Sequence, residues 1–556
     1  MPEETQKTVP RGLWRRPWVR VCLAALTALA LCFGLAAVYI ARHAQPILKQ
    51  SVVETLAEHF HSPVELDRLD ISLLRGVEVR GQGLRIQYLG GAQPDAVSYT
   101  PPGTPMLSVK QFSFHTSLAE LLHRRANIAQ VEVDGLVLYV PPDRHGLMPK
   151  PDGSKPRISL TVSKIHCTNV TLIIETTKPG KEPLQFDIQN LELTDVGGGS
   201  AMLYDADVIN PKPVGKVHAF GHFGPWQGAN PRSTPIDGIY TFADADLSTI
   251  HGIGGILSST GEFTGELGRI TIDGSTETPD FSLDVSDHPV PLETSFHAYV
   301  DGTTGDTTLA PVQATLLHSE FTATGTVVRV KGQGHDIALK IDMPHGHIED
   351  LLQLGMKTEP PVMRGVVTMK ATLHIPPGKQ RVAQKLELAG QLHIANVELS
   401  NPKWQDRVDG LSMRAQGMPR DAKSAGSDGK AQVAAQMAID FSLGKALVTV
   451  NSLQYQIPGA QVNMDGIYSM DGNVFEFKGH VRTDATVSHM VTGWRSALLK
   501  PFDPLFKRDG AGLQLPVAIS GTKDDLHFGL ALHNADESPG EMADEMKAKR
   551  QAQSAH

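Results

Sequence analysis

From Val64 onward the chain alternates apolar and polar residues in short runs, separated by Gly, Pro, Asn and Ser. VELDRLDI, VEVRGQGLRI, LSVKQFSF, VEVDGLVL, IHCTNVTL, FDIQNLEL, LHIANVEL and VTVNSLQY have the period-two pattern of half-buried strands. Seven of the eight share one template, apolar at positions 0, 2, 5 and 7, starting at Val64, Leu107, Val131, Ile165, Phe186, Leu392 and Val448. Segment 77–86 is the same idea with two extra residues. On a flat strand the step of three throws the second apolar pair onto the opposite face, and a bulge between the pairs restores one face. Gly135, Asn169, Asn190 and Asn396 stand just before the second pair, and these residue types tolerate left-handed backbone angles. The expected fold class is mainly β: an elongated, curved antiparallel β-groove with one apolar face and short helical islands, preceded by one N-terminal transmembrane helix.

Helical spacing is confined to short stretches. Residues 46–61 place apolar side chains at 47, 48, 52, 53, 56, 57 and 60, which predicts an amphipathic junction helix. Ser117–Arg125, Asp246–Leu257, His347–Met356 and Thr486–Leu499 are read as helical islands. Segments 90–105, 141–157, 209–235 and 417–430 are rich in Gly, Pro and Ser and are read as loops. Residues 21–41 are uncharged, and as a helix they reach about 31 Å, the hydrocarbon thickness of a bilayer. Lys7, Arg11, Arg15, Arg16 and Arg20 precede them, which favours a cytoplasmic N-terminus. A cleaved signal peptide is the alternative, disfavoured by length and by Arg42 and His43 in the only small-residue run. The layout expected is therefore a basic N-terminus (1–20), a membrane helix (21–41), the junction helix (46–61), one β body (62–533) and a disordered polar tail (534–556).

Composition narrows the function classes. The 556-residue chain carries a net charge of −9, and its first twenty residues hold five basic against two acidic side chains, so the remainder is at −12. Such a balance argues against a nucleic-acid binder, because phosphate neutralisation needs an excess of Lys and Arg. Cys22 and Cys32 lie in the apolar segment, which leaves Cys167 alone in the body, without a disulfide partner or a cysteine metal site. No phosphate-binding loop, H-E-x-x-H, G-x-S-x-G or G-x-G-x-x-G is present. His345 and His347, with Glu349 and Asp350, are the nearest approach to a metal cluster, and a helix start accounts for them better. His218 and His222 are read as solvated loop residues. No enzymatic activity and no cofactor is expected.

Four stretches together resemble the AsmA family of bacterial envelope proteins. They are the anchor and junction followed by SPVELDRLDISLLRGVEVRGQGLRI; SVKQFSFHTSLAELLHRRANIAQVEVDGLVLYVPP; DADLSTIHGIGGILSSTGEFTGELGRITIDGSTETPDFSLDV; and GHVRTDATVSHMVTGWRSALLKPFDPLFKRDGAGLQLPVAISG. The likeness spans about residues 20 to 532. It implies an inner-membrane protein with a periplasmic, taco-shaped β-groove that moves phospholipids between inner and outer membranes, with outer-membrane or periplasmic proteins as further partners. The expected groove lining is Val77, Val79, Leu84, Ile86, Val131, Val133, Leu136, Leu138, Val170, Leu172, Leu392, Ile394, Val397 and Leu399. The rival reading closes the same strands into sandwiches, making the chain a membrane-anchored scaffold for outer-membrane protein assembly. A hydrolase is a third option, for which no nucleophile–base arrangement speaks.

Overall fold

The structure is a computed structural model. It describes residues 49–529 apart from 51, 55, 58–61, 73–76, 88–104, 117–124, 141–158, 177, 179, 197–199, 228–229, 287, 358, 420–432, 470–473, 491–499, 501–511 and 523–524. Among the described residues the chain is mainly β, with few helices. The strands are β1 (Val64–Ser72), β2 (Val77–Gln87), β3 (Pro105–Thr116), β4 (Arg125–Val140), β5 (Ser159–Ile174), β6 (Leu184–Val196), β7 (Met202–Pro211) and β8 (Val214–Phe223). They continue as β9 (Pro235–Asp246), β10 (Ile253–Gly254), β11 (Ile256–Glu266), β12 (Arg269–Leu283), β13 (Val290–Val300), β14 (Thr307–Leu316), β15 (Ser319–Val330) and β16 (Gly334–His347). The last are β17 (Met363–Ile375), β18 (Glu387–Leu399), β19 (Gln436–Gly444), β20 (Leu447–Ile457), β21 (Ala460–Ser469), β22 (Phe475–Thr483), β23 (Leu513–Thr522) and β24 (Asp525–Gly529). Helix α1 is Ile348–Gly355 and α2 is Pro402–Ala415.

Two compact units are present. The first holds the chain up to Thr171 together with Asn190–Met202; the second holds Leu172–Gln189 and everything from Leu203. In the first unit β1, β2, β3 and β4 pair antiparallel in chain order. In the second, β8, β9 and then β11 to β24 form one antiparallel meander, and this sheet is curled like a half-barrel. Sequential pairing needs only short turns. Between β19 and β20, Lys445 and Ala446 both take left-handed angles, as a two-residue turn of type I′ requires.

The step of three works as expected in the first unit. Val64, Leu66, Leu69 and Ile71 of β1 stand opposite Ile86, Leu84, Gly81 and Val79 of β2. Asp67 and Gly83 are the extra residues, at the same level of the two strands, and Gly83 is left-handed with φ +66°. A Cβ on Gly83 would fall 2.0 Å from Asp67 Oδ2, so glycine is required there. Gly135, Asn169 and Asn396 are left-handed at their bulges too, with φ of 69°, 54° and 54°. Asn190 is not; the left-handed residue on β6 is Asp195, at φ 62° and beyond the second apolar pair. Phe186, which opens the template on β6, is exposed.

Three other expectations change. Asp246–Leu257 is no helix: one 3-10 turn at Leu247–Thr249, capped by Asp246, gives way to β10 and β11. Gly252 and Gly255 sit at φ +112° and +118°, angles outside any helix. Segment 209–235 contains β8, so His218 and His222 are strand residues. The helix at Pro402–Ala415 is an addition, started by the Asn401 carboxamide, which accepts from Lys403 N at 3.0 Å, with Pro402 in the first turn. The His347–Met356 island is present as α1. Of 46–61, the described residues within 49–57 are helical. Val487–Met490 forms a 3-10 turn, while 491–499 and 117–124 lie outside the described residues, as do 1–20, 21–41 and 534–556. Among the described residues no helix is long and apolar enough to cross a membrane.

Phe112 lies over Gly81, whose added Cβ would come within 2.1 Å of the ring. Gly81→Val is therefore expected to destabilise the first unit by about 2 kcal/mol through overpacking, measured as a shift in urea midpoint. Phe112→Leu in the same chain should restore part of the loss, giving a coupling term in a double-mutant cycle.

Candidate functional site: an apolar face with polar rims

In the first unit seven of the expected lining residues come together. Reading across the strands, Val64, Ile86, Leu107 and Leu138 form one row; Leu66, Leu84, Val109 and Leu136 form the next. Leu69, Gly81, Phe112 and Val133 follow, and Ile71, Val79, Phe114 and Val131 close the set. Val79 and Ile86 are fully buried, whereas Leu84, Val131, Val133, Leu136 and Leu138 are half-buried. Val52 and Val53 of the helical segment 49–57 pack on this cluster. Val77 begins β2 opposite Thr116. Val170 is buried in the first unit, and Leu172 is half-buried in the second.

Bulges of adjacent strands are tied together. The Asp134 carboxylate accepts from Asn169 Nδ2 at 2.7 Å and from Thr168 Oγ1 at 3.2 Å, and these two bonds hold it below the usual carboxylate range. One step along, Cys167 is buried, and desolvation, then the charge of Glu132, pushes its thiol up to about 11.

The second unit carries the longer face. One cross-strand row runs from Ala219 on β8 to Ile519 on β23 and passes through Tyr240, Phe296, Ile341, Phe441 and Phe477. No member of that row is charged, and none is exposed. The row alternating with it carries Thr241, Thr260, Ser275, Gln313, Asp342 and Lys370 on the opposite, solvated face. Rings settle over glycines along the apolar row: a Cβ on Gly274 would meet Phe296 Cζ at 2.8 Å, and one on Gly466 would meet Phe477 Cγ at 2.7 Å. Between β11 and β13 the same face turns to hydroxyls, and these satisfy one another. Tyr240 and Ser259 are 3.1 Å apart, Thr276 and Thr294 2.7 Å.

Among the described residues, helices cover one end only of this face. Leu351 and Leu352 of α1 and Val408, Leu411 and Ala415 of α2 pack on Met343, Val367, Ile394, Val397 and Ile457. Ile394 and Val397 are thus dry protein core, at 2% and 1% exposure, while Leu392 and Leu399 are half-buried. Buried Asp350 fixes α1 by accepting from Ser319 Oγ at 2.8 Å and from His318 N at 3.0 Å. Glu349 accepts from Gly365 N at 3.2 Å, so both carboxylates of the suspected metal cluster are committed to the fold. Among the described residues no group of three His, Cys, Asp or Glu side chains could hold a metal ion. His218 and His222 pair with Asp207 and Asp237 on the solvated face, at 2.9 and 3.0 Å.

At the opposite strand ends, turns form a charged rim. Asp301 accepts from Arg232 at 2.9 Å, from Lys178 at 3.0 Å and from Thr303 N at 2.9 Å. Burial raises its pKa, but the bonds from Thr303, Arg232 and Lys178 prevail and hold it well below the carboxylate range. Lys178 and Lys181 come from the β5–β6 tip, and Lys331 N donates to Gly180 O at 2.9 Å, so this tip is docked on the rim. The apolar rows of β8 to β15 escape a sequence template because their strands are rich in Thr, Ser and Gly. Their detectable signal is the recurrence of Gly-x-aromatic, at Gly221–Phe223, Gly238–Tyr240 and Gly261–Phe263, and it returns on β21 at Gly466–Tyr468.

No known protein family, curated protein or solved structure matches the chain.

Cys167 should resist maleimide in the folded protein at pH 8 and react fully in urea, a reading available by mass spectrometry. Asp301→Asn is expected to cost about 2 kcal/mol, through weaker charge-assisted bonds to Arg232 and Lys178. Because the folded pKa lies below the unfolded one, that contribution is present above the unfolded pKa and fades as pH falls through the folded one. The stability gap between wild type and variant should therefore narrow below about pH 4, as followed by thermal melts.

Proposed function

We propose that the chain is a membrane-anchored lipid-transfer protein of the AsmA type, whose apolar face shields acyl chains of phospholipids in passage between inner and outer membranes. The observation that carries this reading is the uncharged row from Ala219 to Ile519, which alternates with the polar row through Thr241, Ser275, Asp342 and Lys370 and is covered by helices at one end only among the described residues. Each methylene drawn from water onto such a surface gains about 0.8 kcal/mol, and headgroups stay at the solvated rim. Residues 21–41 serve as the single membrane span, with the N-terminus cytoplasmic and the body periplasmic. In this reading the body is an elongated, taco-like trough, and the protein is no enzyme. It uses no cofactor, binds no nucleic acid and exchanges lipid with outer-membrane or periplasmic partners.

The helix-covered end qualifies which residues meet lipid. Leu84, Val133, Leu138, Ile341 and Phe441 serve as lining, whereas Ile394 and Val397 hold α1 and α2 in place.

Photo-crosslinking amino acids at Val133, Ile341 and Phe441 should capture phospholipid in membranes, and one at Ile394 should not. Capture of protein alone at Ile341 and Phe441, in a folded chain, would support the scaffold reading instead. A double substitution Ile341→Asp with Phe441→Arg separates the two further: an open trough keeps its melting transition and stops binding lipid, while a closed core loses several kcal/mol and unfolds.

A further inference from the structure

The apolar face of the second unit ends in cations at one place. On β15 and β16 the inward pairs run Ala323–Ile341, Gly325–Leu339 and Val327–Ile337, and then Arg329–His335. No register shift intervenes, so Arg329 and His335 stand on the same face, one two-residue step beyond Val327 and Ile337. Arg329 is half-buried, and its guanidinium makes no hydrogen bond to any described residue.

Three lysines close around this pair. Lys181 Nζ, from the β5–β6 tip, reaches Asp306 Oδ1 and the Arg329 carbonyl, both at 2.5 Å. Lys385 Nζ donates to Gly378 O at 3.1 Å, and Gly378 N donates to Gln333 O at 2.7 Å in the β15–β16 turn. Lys212, in the β7–β8 turn, lies near enough to act on both His335 and Lys385. The carboxylate acting on this cluster is Asp306, already bonded to Lys181 and to the Arg329 N–H. Desolvation, followed by Arg329, Lys212 and Lys181, holds His335 below its ordinary pKa, while desolvation and Lys212 lower that of Lys385. In a chain of net charge −9, like charges are here pressed together without enough counter-charge.

We propose that Arg329, His335, Lys212 and Lys385 form a binding site for a phosphate group at the mouth of the apolar face. The inference rests on the lipid-carrying reading for its most direct ligand, a phospholipid. The guanidinium fork takes two phosphate oxygens, the lysines supply point charges, and the acyl chains lie along Val327, Ile337, Gly325 and Leu339. A free phosphate would use the same groups.

The test compares the full chain with Arg329→Gln/Lys212→Gln, using phosphatidylglycerol and diacylglycerol of identical acyl chains, with inorganic phosphate titrated separately by calorimetry. Wild type should bind phosphatidylglycerol about tenfold tighter than diacylglycerol, the worth of one charge-assisted contact. The double variant should lose that preference with diacylglycerol binding unchanged, and Arg329→Lys should recover part of it. Arg329-dependent binding of inorganic phosphate without a lipid preference assigns the site to a free anion. Equal binding of both phosphate probes by wild type and variant overturns the site. Failure of wild type to bind either lipid overturns the lipid-carrying reading, and the phosphate isotherm then decides the anion site by itself. Should the double variant fail to melt cooperatively, Lys212→Gln alone, an exposed turn position, gives the same comparison.

Discussion

Antiparallel pairing is obligatory for these backbones, and it fixes side chains of adjacent strands into rows. Everything else in this protein depends on keeping those rows aligned, because a one-residue slip would send an entire strand's apolar set into water. The chain holds alignment by two means. Where the pairing runs without a shift, as between β11 and β12, plain alternation is sufficient. Where they must bend, adjacent strands take in their extra residue at one level, as Asp67 and Gly83 do, so that the face resumes in step on the far side.

Alignment alone does not make a core. A dry interior needs a second layer, and among the described residues α1, α2 and the helical segment 49–57 supply it only locally. Over the rest of the second unit's row, rings seated on glycines reduce exposure, and no described helix lies on it. Polar groups on that stretch, such as Ser259 and Thr276, are bonded among themselves and so impose no charge on whatever lies against them. An uncharged face that is neither sealed nor solvated in the ordinary way is the physical basis for assigning it a ligand.

Much of this was legible in the sequence because period two is a strong signal. The template located β1, β3, β4, β5, β18 and β20, and the left-handed residues Gly135, Asn169 and Asn396 marked bulges correctly. Seven lining candidates share one face of β2 and β4 for that reason. Burial depth was not legible. Ile394 and Leu392 are two residues apart on one strand, yet only the first lies in the heart of a core, because α1 and α2 arrive from connections the template does not describe. Glycine-rich runs misled in both directions. The run around Gly252 reads as a weak helix and is a turn that leads into β10, and 209–235 reads as a loop and contains β8. The rim could not be foreseen at all, since Lys178, Arg232 and Asp301 are far apart in the chain and meet only through folding.

The bulges shared across β1 to β4 have a consequence for how such a chain grows. Each hairpin carries its own crease, and neighbouring creases line up, so the sheet bends along a line as a sheet of paper does along a score. Duplicating one hairpin adds another strip with the same score and leaves the cross-section unchanged. Length and calibre are thereby set by separate parts of the sequence: the number of hairpins fixes the first, and the position of the extra residue within each strand fixes the second.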